Sequence, residues 1–179
     1  PRRVHGHHDW GSFTLSAFGE DLLVDSGGPY LYGDPLRAAF MSALSHNVVV
    51  VDEQDYSGDR GAAITRSADD IHMSFAEIEH ESILDYSHKR AFVLIKPETL
   101  VIVDRLDAQD SAVHRLDLLF HLAPGASVIA EGNRISADIG DARLEMEVFG
   151  STPVSLDVVS GQTSPYLLGW VTPTYGTKI

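Results

Sequence analysis

Apolar and polar residues alternate along most of this chain, and the period is two. Phe13, Leu15 and Ala17 are set against Ser12, Thr14 and Ser16, the pattern of a strand with one face toward a core. Gly19-Glu20-Asp21 reads as a turn and Leu22-Leu23-Val24 as the returning strand. Residues 47–51 form a near-continuous apolar run, as expected of a strand covered on both faces. Residues 55–61 read as a polar loop, and alternation resumes at Ile71, Met73 and Phe75, then at Leu116, Leu118 and Phe120. The apolar runs 91–95 and 100–103 flank Lys96-Pro97-Glu98-Thr99, a hairpin with proline at its turn. Further short strands are expected at 127–130, 134–138, 142–149, 154–159 and 166–172, with Gly132-Asn133, Gly140-Asp141 and Gly161 at the turns.

One stretch departs from this text. Ser26-Gly27-Gly28-Pro29 breaks regular structure, and Asp34-Pro35 then offers an N-cap with proline in the first helical position. Leu36, Ala39, Phe40 and Ala43 recur at helical spacing, which predicts a short helix over 35–44. About a dozen strands, with turns roughly every eight to twelve residues, predict an all-β fold, a large antiparallel β-sandwich. The reading is of one domain over residues 1–179.

Composition bounds the chemistry. The chain is long enough for a sizeable core, and 44% apolar with 22% charged residues is an ordinary globular balance. No window approaches the ~18–20 consecutive apolar residues of a membrane span, so no membrane partner is expected. Pro1-Arg2-Arg3 is followed by histidines, so no signal peptide is visible. A chain that opens on proline reads as a processed product or a cut-out domain, which leaves a periplasmic or secreted parent open. There are no cysteines, so any metal must be held by His, Asp, Glu or carbonyl oxygen. The net charge of −13 argues against a nucleic-acid partner. It also repels a polyanionic sugar over a Debye length of roughly 8 Å, unless a local patch drawn from Arg2, Arg3, Arg37, Arg60, Arg66, Lys89 and Arg90 offsets it.

The chemistry concentrates near the start, in His5-Gly6-His7-His8-Asp9. On an extended segment His5 and His7 point the same way, and His8 the other. Asp25 ends the run Leu22-Leu23-Val24, and His46 opens Val48-Val49-Val50-Val51. Imidazoles with a carboxylate form a donor set that suits zinc ahead of calcium. His-x-His on a strand is also a feature of cupin-like metal oxygenases. That fold would need a nearby glutamate, and here Glu20 is distant and His114 or His121 would have to complete the set.

The ordered set His5-Gly6-His7-His8-Asp9-Trp10-Gly11-Ser12-Phe13, Leu23-Val24-Asp25-Ser26-Gly27-Gly28-Pro29-Tyr30 and Ser45-His46-Asn47 resembles the C-terminal β-domain of the heparinase II/III-like polysaccharide lyases. That group includes related alginate lyases. Weaker echoes occur at His88-Lys89-Arg90, Phe120-His121-Leu122, Gly169-Trp170 and Tyr175-Gly176. The resemblance implies one structural zinc held by His7, Asp25 and His46. It implies that His5 faces substrate as an acid–base group, and that a tyrosine, Tyr30 ahead of Tyr32, carries a proton. Tyr32, Arg37 and Arg90 are candidates for substrate contact, through ring stacking or the bidentate guanidinium fork. The implied reaction is β-elimination on a uronic-acid-containing polysaccharide of heparan or alginate type. The family's full enzymes add an N-terminal α/α-toroid, which is absent from these residues, so the chain alone is expected to be incomplete. A non-catalytic module that binds sugar or a structural metal is the alternative.

Overall fold

A computed structural model describes residues 6–57, 61–83 and 85–179. In chain order the strands are β1 (Leu15–Ala17), β2 (Glu20–Leu23), β3 (Val49–Val51), β4 (Ala63–Asp69), β5 (Met73–His80), β6 (Tyr86–Ile95), β7 (Thr99–Ala108), β8 (Leu116–Leu118), β9 (Ser127–Glu131), β10 (Arg134–Ile139) and β11 (Ala142–Glu147). Every pairing between them is antiparallel, in sheets ordered β1-β2, β3-β8, β4-β5-β6-β7 and β11-β10-β9. The fold is the expected β-sandwich, with one short α-helix among the described residues.

That helix, α1 (Leu36–Met41), starts behind Pro35, and the Asp34 carboxylate accepts from the Leu36 backbone N–H at 2.8 Å. Aspartate therefore closes a turn one residue ahead of the capping position, where Pro35 sits. At Ser42 the backbone swings to ψ 160 and a 3-10 turn, Ala43–Ser45, leads into His46.

Two apolar clusters hold the layers. Ala43, Val48, Val50, Val51, Tyr56, Ile83 and Tyr86 form one; Leu22, Ala123, Ala137, Ile139 and Ala142 form the other. At about 25 cal/mol per Å2 of apolar surface, such clusters are the main stabilising term. The apolar run into β3 lies at 0–4% exposure, as its unbroken hydrophobicity requires.

One strand escapes the apolar pattern, and two expected strands do not form. Strand β4, Ala63-Ile64-Thr65-Arg66-Ser67-Ala68-Asp69, is exposed along its whole length, so it has no apolar face to read and stands on its ladder to β5. Residues 154–159 and 166–172, expected as strands, are irregular apart from a bridge between Gln162 and Leu168. Val154, Val158 and Val159 are 39–56% exposed, so their apolar pattern is not spent on a core.

Candidate functional site

Asn47 organises the site. It is fully buried between His46 and the first valine of the β3 run. Its side-chain amide donates to the Phe13 carbonyl at 2.7 Å and to the Val24 carbonyl at 2.8 Å. Its side-chain oxygen accepts from His121 N–H at 2.7 Å, and its backbone N–H donates to Ser12 Oγ at 3.1 Å. Asparagine offers donors and an acceptor at once, which lets one residue pin three chain segments beside His46. No spacing in the sequence announces this.

Around that knot the three expected metal ligands converge. His46 is fully buried and its Nδ1 lies 2.7 Å from Asp25 Oδ1. The His7 and His46 rings are 5.3 Å apart between centroids. Asp25 Oδ1 also accepts from the Gly27 N–H at 2.9 Å. Burial opposes the Asp25 charge, but the His46 hydrogen bond and the Gly27 N–H outweigh it and hold the carboxyl below its ordinary 3.8. Burial, then the neighbouring His46, pushes the His7 imidazole below its ordinary 6.5. With the His46 Nδ1 proton directed at Asp25, its Nε2 is left as an acceptor, and that atom is buried without a hydrogen-bond partner. An orphaned imidazole nitrogen costs about 1–3 kcal/mol, which makes it a place where a cation would be at home. Carboxylate-held histidines are the usual metal-ligating form. Even so, among the described residues no three His, Asp or Glu side chains are arranged as a ready-made metal cage.

The backbone approaches His46 closely. A Cβ at Gly27 would lie 2.2 Å from His46 Cε1 and 2.5 Å from the Phe40 carbonyl. Only glycine allows Asp25, Gly27 and His46 to share this space.

A groove of about 250 Å3 opens beside His7, lined by His7, Gly27, Pro29, Tyr32, Arg37 and Tyr175. Arg37, in the first turn of α1, donates to the Tyr30 carbonyl at 3.1 Å and lies 4.5 Å from the centre of the Tyr32 ring. The groove thus brings together an imidazole, a guanidinium and two phenols.

The remaining expected residues are placed as follows. His5 lies outside the described residues. Tyr30 is 7% exposed and packs on Phe40 with ring centroids 5.0 Å apart, so it belongs to the core and does not line the groove; Tyr32 is the exposed phenol of the two, at 63%. The substrate contact expected of Arg90 is corrected: the guanidinium is 1% exposed and bonded to Asp104 at 2.7 and 3.0 Å. It also donates to the carbonyls of Gly11 at 3.0 Å and Asn47 at 2.6 Å, so it braces the site from behind. His8 pairs with Asp55 at 2.8 Å, away from His46. His121 lies against the backbone of His46 and Leu44, and burial pushes it down to about 4. The cupin arrangement fails, because His46 and not His121 sits on the His7 ring. Trp170 donates to the Gln162 carbonyl at 2.9 Å and its ring is covered by Lys178 at 3.7 Å. Sequence reasoning passed over Tyr175 as a groove residue; only its proximity to Tyr32 in the fold brings it there.

The family model described as Heparinase II/III-like, C-terminal, matches residues 1–170. The chain belongs to this family. No curated protein matches the sequence. Among solved structures, the heparan sulfate lyase HepC from Pedobacter heparinus superposes with a TM-score of 0.85 at 19% identity, over 100% of this chain and 28% of that one. A structure described as heparinase III gives 0.78 at 20% identity, over 98% of this chain and 26% of that one. The shared feature is the fold, and this heparinase II/III-like domain spans about a quarter of the length of those chains.

Proposed function

We propose that the chain is the β-domain of a polysaccharide lyase that cleaves a uronic-acid-containing polysaccharide by β-elimination, completed by a helical domain outside these residues. The observation that carries this reading is the groove itself, which sets Arg37 and Tyr32 beside the His7–His46–Asp25 cluster in a chain of this family.

In β-elimination a base takes the proton from C5 of the uronate, the C4–O bond breaks, a C4–C5 double bond forms, and an acid protonates the departing oxygen. The negative charge that develops on the carboxylate must be met by a preorganised donor. Arg37 is the group for that task, since its fork matches a carboxylate. Tyr32, a phenol at the groove, is a candidate for proton transfer, and His5 is the imidazole that the family resemblance assigns to the same task; Tyr30 is too deep for it. His7 and His46 would hold a zinc ion through their ring nitrogens, with Asp25 orienting His46 and offering its second oxygen. When bound, the ion would supply structural cross-linking of the groove wall.

The test is the ultraviolet absorbance of unsaturated uronate ends, measured on the intact protein with heparan sulfate and with alginate. Activity on one of them, lost in His5→Ala and in Arg37→Gln, is the expected result. Turnover unchanged in both variants overturns the assignment and leaves a non-catalytic sugar module. The 179-residue chain alone should be inactive. Metal analysis should find about one zinc per chain, lost in His46→Ala.

A further inference from the structure

Residues 171–179 bring Tyr175 to the groove, and their architecture is that of a mount. Val171 and Ile179 exchange backbone hydrogen bonds at 2.8 and 3.0 Å, and Thr177 N–H donates to the Thr174 carbonyl at 3.0 Å. Thr172 is 4% exposed and its hydroxyl donates to the Ser26 carbonyl at 3.2 Å. It fills the space beside Gly28, where a Cβ would come within 2.3 Å of the Thr172 carbonyl oxygen. At the tip, Gly176 takes φ 74 and its hydrogen faces Leu31; a Cβ there would lie 2.9 Å from Leu31 Cδ2. The turn is therefore locked to the Ser26–Gly28 segment, which contains Gly27 and directly follows Asp25.

What the mount presents is Tyr175. Its hydroxyl accepts from the Tyr32 backbone N–H at 3.4 Å, while the residue remains 55% exposed. A phenol anchored at its far end and left open contributes little to a core. The groove also holds Arg37, whose Nη1 is bonded to the Tyr30 carbonyl. A guanidinium carries further donors for a second acceptor. In a chain of net charge −13, an anionic sugar needs such a local cation to approach. A pyranose ring offers a face of polarised C–H bonds, which suits the negative face of an aromatic ring.

We propose that Tyr175 is the platform on which one hexuronate ring of an acidic polysaccharide stacks, with Arg37 receiving that ring's carboxylate. The inference rests on the substrate class given under the proposed function, and adds to it the C-terminal turn as the element that sets where the sugar chain lies.

The experiment is calorimetric titration of the intact protein with uronate-containing tetrasaccharides from heparan sulfate and from alginate, in wild type, Tyr175→Phe, Tyr175→Leu and Tyr175→Ala. Saturation-transfer NMR from the aromatic protons to the sugar C–H protons accompanies it, and circular dichroism checks that each variant is folded. One tetrasaccharide should bind, and Tyr175→Ala should weaken it roughly five- to tenfold. Tyr175→Phe should bind within about twofold of wild type, and Tyr175→Leu should fall between. Saturation transfer to the sugar should fade in Tyr175→Ala. Unchanged binding in Tyr175→Ala overturns the platform while leaving the lyase reading intact. Equal losses in Tyr175→Phe and Tyr175→Ala overturn it too, because the hydroxyl and not the ring would be at work. If wild type binds neither tetrasaccharide, the substrate class falls and the platform falls with it.

Discussion

Arg90 and Asp104 stand directly opposite each other on β6 and β7 and form a two-pronged ion pair, Nε to Oδ1 at 2.7 Å and Nη2 to Oδ2 at 3.0 Å. The pair is extended from both of its ends. Ser82 N–H donates to His80 Nδ1 at 3.3 Å, which leaves the His80 Nε2 proton for His88 Nδ1 at 2.9 Å, and His88 Nε2 then donates to Asp104 at 2.7 Å. Outward, Arg90 Nη1 holds the carbonyls of Gly11 and Asn47. These two segments carry His7 and His46, so a charge pair in the sheet fixes the spacing of the groove's histidines.

Removing the guanidinium strands a buried carboxylate and two buried carbonyls. Arg90→Met should therefore cost about 3–5 kcal/mol, read as a lower urea midpoint with an unchanged slope. Arg90→Lys should recover only part of this, since an ammonium cannot fork to Asp104 and reach both carbonyls.

Gly27→Ala should act at the groove. The new methyl must displace the His46 ring or the Phe40 carbonyl, an overpacking cost of about 1–3 kcal/mol. Thermal unfolding would register that loss, and the His46 ring proton shifts should move. A variant with wild-type stability and unmoved His46 resonances would refute the close approach.

Much of this was readable in the sequence. The apolar runs 91–95 and 100–103 and the proline between them mark the hairpin of β6 and β7, and the ordered His, Asp and His-Asn signatures lie close together in space. What failed to show was burial without hydrophobicity. Arg90 looks like any surface arginine until Asp104 is set against it across the strands, a match of register that no local pattern carries. Strand β4 was hidden for the opposite reason, being exposed on both faces. Tyr175 reaches the groove only because Thr172 docks on the glycine-rich turn.

His80 should make the protein acid-sensitive. Burial, then the His88 and Arg90 charges, lowers it from 6.5 to about 3, so it is neutral when folded while the unfolded chain binds a proton below 6.5. The stability it contributes is present above 6.5 and is lost as pH falls toward about 3. Urea midpoints measured between pH 7 and about 3 should fall, and His80→Gln should flatten part of the slope.

His114 should act with the opposite sign. Its hydrogen bonds to Asp52 at 2.6 Å and Asp110 at 2.9 Å raise it above 6.5. The charged form is favoured on folding, so its contribution is complete below 6.5 and is lost as pH rises through the higher folded value. The melting-temperature gap between wild type and His114→Gln should be widest near pH 6, provided the two carboxylates stay ionised, and should shrink at alkaline pH and in high salt.

Asn47 has a consequence for anyone who would transplant this groove. Its bonds draw Phe13, Val24 and His121 to one point, and Arg90 grips it from outside. Copying the histidines and the aspartate into a foreign scaffold would carry the reactive groups and leave behind the fastening that gives them their distances. The smallest portable unit is the amide with all its tethers, and a graft that omits them should yield rings that wander.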